Sequence, residues 1–289
     1  MSAQLARPVV VGVDGSRDGL VALTWAARFA TARQAPLHGV HVVDESRHPA
    51  VPPSDCPDDG AEVLDDAADE LERIGFAGAT LEVRHGHPAT ILVGLSSRAK
   101  ALVIGRRGAG GFAELVMGST SQVCTALTRA PLVVVPDCWE PERPRHGRIV
   151  VGVDGSPGCQ AALAFGFDLA EATGAEVRVV HAADVPESYP VPGLWPDPND
   201  NAWAPYAEKL LAAALDGWSA KHPGVGVTTS YEAAHPVLLL ANESRAADLV
   251  VVGGVGRTEF TPLRMGSVAR GLLHHTHCPV AVIHQEETS

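Results

Sequence analysis

The heptapeptide VVGVDGS occupies residues 10–16 and returns unchanged at 150–156. A shift of 140 residues superposes Asp14 on Asp154 and His41 on His181, and a shift of 148 superposes Pro88 on Pro236, Gly105 on Gly253, Gly118 on Gly266 and Pro131 on Pro279. The chain is therefore two copies of one unit. Its 289 residues suit two domains, each of about 140 residues and large enough to bury its own core. The shifts differ by eight residues, 148 minus 140. The extra residues fall between His181 and Pro236, where ADVPESYPVPGLWPDPNDNAW is dense in Pro, Asp and Asn and reads as a longer loop in the second copy. Between the copies, PDCWEPERPRHGR at 136–148 mixes proline with both signs of charge and has no apolar periodicity. The expected organisation is a first domain over 1–136, a linker over 137–147 and a second domain over 148–289.

Within the first copy, PVVVGV, APLHGVHVV, TLEVRHG, ALVIG and PLVVVP are short, β-branched runs of the kind that form parallel strands. Between them, DGLVALTWAARFATARQ, DDGAEVLDDAADELERIG, HPATILVGLSSRAK and GSTSQVCTALTRA carry apolar residues at helical spacing, with Leu64, Ala67, Ala68 and Leu71 on one face. Strict alternation of strand and helix predicts right-handed crossovers and a doubly wound, five-stranded parallel sheet in each copy. Ligands in such sheets bind beyond the carboxyl ends of the strands, where strand order reverses.

Composition excludes several classes. Thirty-four Asp and Glu against 22 Lys and Arg give a net charge of -12, which opposes binding to nucleic acid or an anionic membrane. No apolar run approaches the ~20 residues of a membrane span and the first residues carry no cleavable leader pattern, so a cytoplasmic protein is expected. Cys56, Cys124, Cys138, Cys159 and Cys278 are odd in number and form no CxxC, which predicts reduced thiols rather than a disulfide framework or zinc knuckle.

Two loops in each copy could hold a ligand. The first strand is followed by Asp14-Gly15-Ser16. The fourth is followed by Gly105, Gly108 and Gly118-Ser119-Thr120, in a Gly-x2-Gly-x9-Gly-Ser spacing. Asp154-Gly155-Ser156 and then Gly253, Gly256 and Gly266-Ser267-Val268 repeat the arrangement. Glycine lets backbone N–H groups approach a bulky anion, and a helix N-terminus favours a phosphate. The competing reading is that the glycines only end strands and that Ser119 and Ser267 are ordinary N-caps. There is no GxxxxGK[ST] and no GxGxxG after the first strand, so neither a P-loop nor a dinucleotide-binding turn is present.

These features, VVGVDGS, the GxxGx9GS spacing and the closing PLVVVP strand, resemble the universal stress protein family in its tandem form, and the resemblance spans essentially the whole chain. It implies an ATP-binding, Rossmann-like fold of the adenine nucleotide alpha hydrolase kind, with strand order 3-2-1-4-5. Asp14 and Asp154 would meet the nucleoside, backbone around Val40 and Val180 the adenine, and the glycines with Ser119 and Ser267 the phosphates. Gly15, Ser16 and Thr120, with Gly155, Ser156 and Val268, would line the same sites. ATP, with Mg2+, is the implied ligand, and a regulatory role in stress response acting on a downstream protein the implied function.

No evident general base accompanies the cradle, which predicts slow or absent hydrolysis, against the alternative of a hydrolase or a nucleotidyl or phosphoryl transferase. A scaffold that has lost its ligand is a third reading. Ala269 stands where the first copy has Ser121, and Pro262 lies in the second glycine loop; both predict weaker binding there. Arg106 and Arg107 are open between phosphate contact and a solvated pair. His85 with His87, and His274, His275 and His277 with Cys278, read as solvated or capping groups rather than metal ligands. The last strand of each copy is expected at a sheet edge, where an exposed apolar edge invites pairing with another sheet; the resemblance implies pairing between the domains and then a homodimer.

Overall fold

The computed structural model describes residues 6–44, 60–108, 117–182, 204–255 and 265–284. It divides between Arg143 and Pro144 into two compact units.

The first unit runs β1 (Val9–Val13), α1 (Arg17–Ala32), β2 (Leu37–Val43), α2 (Ala61–Arg73), β3 (Thr80–His85), α3 (Pro88–Ser96), β4 (Ala101–Gly105), α4 (Ser119–Leu127) and β5 (Leu132–Val135). Its strands lie in the order β3-β2-β1-β4-β5, all parallel. The second unit runs β6 (Arg148–Gly152), α5 (Gly158–Thr173), β7 (Glu176–Ala182), α6 (Ala204–Ala214), α7 (Trp218–Lys221), β8 (Val227–Glu232), α8 (Pro236–Glu243), β9 (Leu249–Gly253), α9 (Ser267–His275) and β10 (Val280–Ile283). Its order, β8-β7-β6-β9-β10, is again parallel throughout. Each unit is the doubly wound parallel sheet expected from the alternation of strand and helix, in the 3-2-1-4-5 order that the family resemblance implies. The long loop of the second copy, 183–203, lies outside the described residues.

Strands β1, β4 and β5 are buried over nearly their whole length because helices cover both faces, and their sequences are continuous runs of Val, Leu and Ile. β3 and β8 are terminal strands and only partly covered, which is why TLEVRH and VTTSYE carry polar residues. The repeat extends into the core: Ala22, Leu23 and Ala30 of α1 and their counterparts Ala162, Leu163 and Ala170 of α5 are all wholly buried. Trp25 and Phe29 add a stacked pair with ring centroids 5.2 Å apart. On α2 the predicted apolar face is narrower than its spacing suggests, since Ala67 and Leu71 are buried while Ala68 is exposed.

The connecting segment is tied down at both ends. Asp137 pairs with Arg106 and Trp139 accepts Arg28 over its ring in the first unit. The amides of His146 and Gly147 donate to the Asp248 carboxylate at 2.8 and 2.9 Å in the second.

Leu23→Ala and Leu163→Ala are each expected to cost their own unit about 2–5 kcal/mol, the usual range for a leucine deleted from a closed core. The effect is read as a lower urea midpoint and faster hydrogen exchange in that unit's strands. A loss below about 1 kcal/mol would show that the side chain is not packed as described.

Candidate functional site

The site forms where strand order reverses. β1 pairs with β2 up to Val13 and His41, but with β4 only as far as Val11 and Val103. Both strands continue beyond that point, to Val13 and Gly105. They part at their carboxyl ends, and the turns that follow leave in different directions. The second unit does the same: β6 pairs with β9 as far as Val151 and Val251, while the strands end at Gly152 and Gly253.

One lip is the Asp14-Gly15-Ser16 turn. Gly15 has φ +73, in the left-handed region that glycine enters without strain. The Ser16 amide donates to Asp14 Oδ1 at 3.1 Å, and Ser16 Oγ accepts from the Gly19 amide at 3.0 Å, so Ser16 is the N-cap of α1. A serine used in this way is a structural cap, not a nucleophile.

The other lip follows β4. A Cβ on Gly105 would lie 2.9 Å from the backbone of Asp18, so this glycine is required by the close approach of α1. A Cβ on Gly108 would lie 2.4 Å from Asp14 Oδ2, which places Asp14 directly against the glycine loop. The Gly118 amide donates to the Arg106 carbonyl at 3.0 Å, folding the chain back so that α4 starts above Arg106–Gly108. Gly118 itself is the N-cap, with φ -70 and ψ 154 and no side-chain cap. A Cβ there would point at the Gly108 amide nitrogen, 3.7 Å away. Ser119 and Thr120 are the first helical residues, and the amides of a helix's first turn have no partner within the helix. They follow directly on the residue whose Cβ position lies 3.7 Å from the Gly108 nitrogen and 3.8 Å from the Arg106 carbonyl oxygen.

The competing reading of Ser119 and Ser267 as N-caps is corrected by these facts, because Gly118 and Gly266 occupy the cap positions and neither has a capping side chain. In the second unit the Gly266 amide donates to the Gly254 carbonyl at 2.6 Å, and Ser267 and Val268 open α9. Gly155 has φ +77, and Asp154 Oδ1 accepts from the Ser156 amide at 3.0 Å and from Cys159 Sγ at 3.0 Å. Gly253 packs against Gly158, with room for a Cβ at 3.4 Å. Gly256, Arg257 and Pro262 lie outside the described residues.

Val40 and Val180 sit inside the sheet ladders, paired to Gly12 and Glu82 and to Gly152 and Ser230. The Val180 carbonyl accepts from the Val153 amide at 2.9 Å, and β2 and β7 run on to Val43 and Ala182. Two other expectations meet a different geometry. Ser121 Oγ donates to the Gly105 carbonyl at 2.9 Å and is buried, so the hydroxyl missing at Ala269 secures the loop and is not a phosphate contact. Arg106 is buried and ion-paired with Asp137, neither at a phosphate position nor solvated. The Nε atoms of Arg106 and Arg107 are both enclosed and without a partner among the described residues.

Three contributors were not read as site residues from the sequence. His41 and His181 place Nδ1 at 2.9 and 2.8 Å from the carbonyls of Val13 and Val153. A carbonyl only accepts, so each Nδ1 carries the proton and pins the residue before Asp14 or Asp154. Their coincidence under the 140-residue shift was the signal. Asp18 Oδ2 accepts from the Arg107 amide at 3.1 Å. Burial raises the Asp18 carboxyl above the usual range and Asp137 adds to this, while the Arg107 amide and the two arginines oppose it.

Among the described residues no group of three or more His, Cys, Asp or Glu is placed to hold a metal. His274 and His275 occupy the last turn of α9. Cys124, Cys138, Cys159 and Cys278 form no disulfide, and burial pushes Cys124 up to about 12.

Asp137→Ala is expected to strip the buried Arg106 of its counter-ion. The cost is about 2 kcal/mol, below the ~3–5 of a fully buried pair because Asp137 is partly exposed. Thermal denaturation reads it, and an unchanged midpoint would contradict the pairing. Labelling of native protein near neutral pH is expected to modify the exposed Cys138 and spare Cys124; equal rates would contradict that burial.

The chain matches the universal stress protein family over residues 6–136 and again over 146–284. It is 34% identical over 290 residues to a universal stress protein of Mycobacterium tuberculosis, covering 96% of this chain and 97% of that one. A universal stress protein of Mycolicibacterium smegmatis is 31% identical over 288 residues, covering 95% and 96%. A crystal structure of a universal stress protein from Archaeoglobus fulgidus superposes with a TM-score of 0.70 at 18% identity, over 96% of this chain and 98% of that one, a likeness of fold. No helix among the described residues is long and apolar enough to cross a membrane. With one match in each unit and full-length relatives of the same tandem build, the chain belongs to the universal stress protein family.

Proposed function

We propose that each unit binds ATP, with Mg2+, in the crevice between the turn after its first strand and the glycine loop after its fourth, and that occupancy serves regulation in a stress response. The observation that carries this reading is the start of α4. A glycine stands at the N-cap with no side-chain cap, and a Cβ on it would point at the Gly108 amide. That arrangement brings the first turn of α4 close to a loop amide, and no protein acceptor for these amides is found among the described residues, the condition under which a helix N-terminus favours a phosphate.

Arg107 supports it, since its Nε, like that of Arg106, is enclosed and without a partner among the described residues, and an enclosed guanidinium nitrogen is costly unless an anion meets it. Asp14 faces Gly108 from the opposite lip and is a suitable acceptor for nucleoside hydroxyls. The second unit repeats the glycine start at Gly266. Ser16 is committed to capping α1 and is not available as a nucleophile. The reading is therefore binding with slow or absent hydrolysis. The homodimer and cytoplasmic location implied by the resemblance belong to the same proposal, and sedimentation of monomer alone would remove the dimer.

Titration of ATP and Mg2+ against nucleotide-stripped protein is expected to saturate at two nucleotides per chain and to stabilise each unit by about 2.7 kcal/mol at a hundredfold excess over Kd. Fewer than one per chain, or many turnovers on overnight incubation, would contradict the reading. Gly118→Ala meets only ordinary contacts, with Arg107 Cα and the Gly108 nitrogen at 3.7 Å, and its φ suits alanine. Its melting temperature is expected to be unchanged while ATP affinity in the first unit falls at least about tenfold, roughly the loss of one charge-assisted hydrogen bond. A variant that binds as the parent does would show that the space beneath Gly118 is not the phosphate site.

A further inference from the structure

Among the described residues the two crevices differ at a contact made to the glycine loop itself. In the first unit the amide of Arg107, inside the Gly105–Gly108 loop, is held by Asp18 Oδ2 at 3.1 Å. Asp18 lies in the first turn of α1, so close to the loop that a Cβ on Gly105 would strike its backbone at 2.9 Å. A carboxylate accepting a backbone amide at the mouth of a sheet is the same interaction, with the same charge sign, that a phosphate oxygen would make there. In the second unit the position of Asp18 under the 140-residue shift is Gly158. No side chain can reach the loop from that position. A Cβ there would already sit 3.1 Å from the Val255 carbonyl, Val255 being the counterpart of Arg107 under the 148-residue shift.

We propose that Asp18 is a built-in competitor for the anion in the first unit: its carboxylate occupies a cradle amide in the absence of ligand and must be displaced by the nucleotide's phosphates, a step the second unit lacks. This rests on the functional reading above and deepens it by assigning the first unit's affinity to one residue. The surrounding charges do not remove the competition. Arg106 is engaged by Asp137, and Asp137 lies near enough to Asp18 for the two carboxylates to repel. Arg107, whose Nε has no partner among the described residues, is left to meet the phosphates once Asp18 withdraws. The contact discriminates by ligand charge. Adenosine, which has no phosphates, does not contend with Asp18, whereas ATP does.

The test uses the full chain and hydrogen-exchange mass spectrometry, which reads the two units separately. ATP with Mg2+ is titrated against the parent and Asp18→Asn, following protection of peptides over 101–108 and 117–127 in the first unit and over 249–255 and 265–275 in the second. Asp18→Asn keeps the size of the side chain and removes its charge. The half-protecting ATP concentration for the first unit is expected to fall about tenfold while that of the second stays unchanged, and adenosine is expected to give the same curve for both proteins. Asp18→Ser is a second variant for the case in which asparagine perturbs the start of α1; circular dichroism melting confirms that each is folded. An unchanged or higher half-protecting concentration in the first unit overturns the proposal, the latter by making Asp18 a ligand, directly or through the metal ion. Equal tightening for ATP and adenosine also overturns it. If ATP protects neither unit of either protein, the functional reading itself fails and takes this proposal with it.

Discussion

No side chain fits between the end of β4 and the first turn of α1. A Cβ on Gly105 would come within 2.9 Å of the backbone of Asp18, and that close approach sets the geometry of everything at the mouth of the first sheet. It holds the start of α1 against the loop after β4. Asp14 is thereby brought onto Gly108, Asp18 onto the Arg107 amide, and α4 back over both through the bond from Gly118 to the Arg106 carbonyl. Beneath it the strands β1 and β4 have already parted two residues before their ends. The crevice is thus a product of strand order and one glycine, with the chemistry added by the turns.

The fold was legible because its signals are periodic and local. Runs such as VVVGV and ALVIG have no polar face to give and belong in a covered parallel sheet, and the identity of Ala22, Leu23 and Ala30 with Ala162, Leu163 and Ala170 under one shift carries the repeat into the core. The glycine spacing was legible for the same reason. What could not be read was direction. Ser121 is one residue past Thr120, yet its position on the helix turns its hydroxyl to the Gly105 carbonyl and away from the crevice. Arg106 and Arg107 are adjacent and chemically alike, but Asp137, distant in sequence, captures only the first. Each of these outcomes depends on a partner that sequence spacing does not name.

The two copies have kept the same devices while changing their surroundings. A glycine with positive φ follows each aspartate, a buried histidine pins the carbonyl before it, and a glycine opens each helix after the fourth strand. Around these, the second copy replaces Asp18 by Gly158 and Gly19 by Cys159, whose thiol donates to Asp154 in a position where the first copy has no side chain. Duplication preserved the backbone geometry and released the side chains that modulate it. That is the pattern expected when the shared task is done by main-chain amides, which mutation cannot remove, rather than by functional groups, which it can.

The central claim is that amides at the starts of α4 and α9 receive the phosphates, and backbone amide NMR tests it most directly. Comparing spectra with ATP and with adenosine, the account predicts that Gly108, Ser119 and Thr120 in the first unit and Ser267 and Val268 in the second shift far more with ATP. Equal shifts with both ligands, or shifts confined to other parts of the chain, would contradict it.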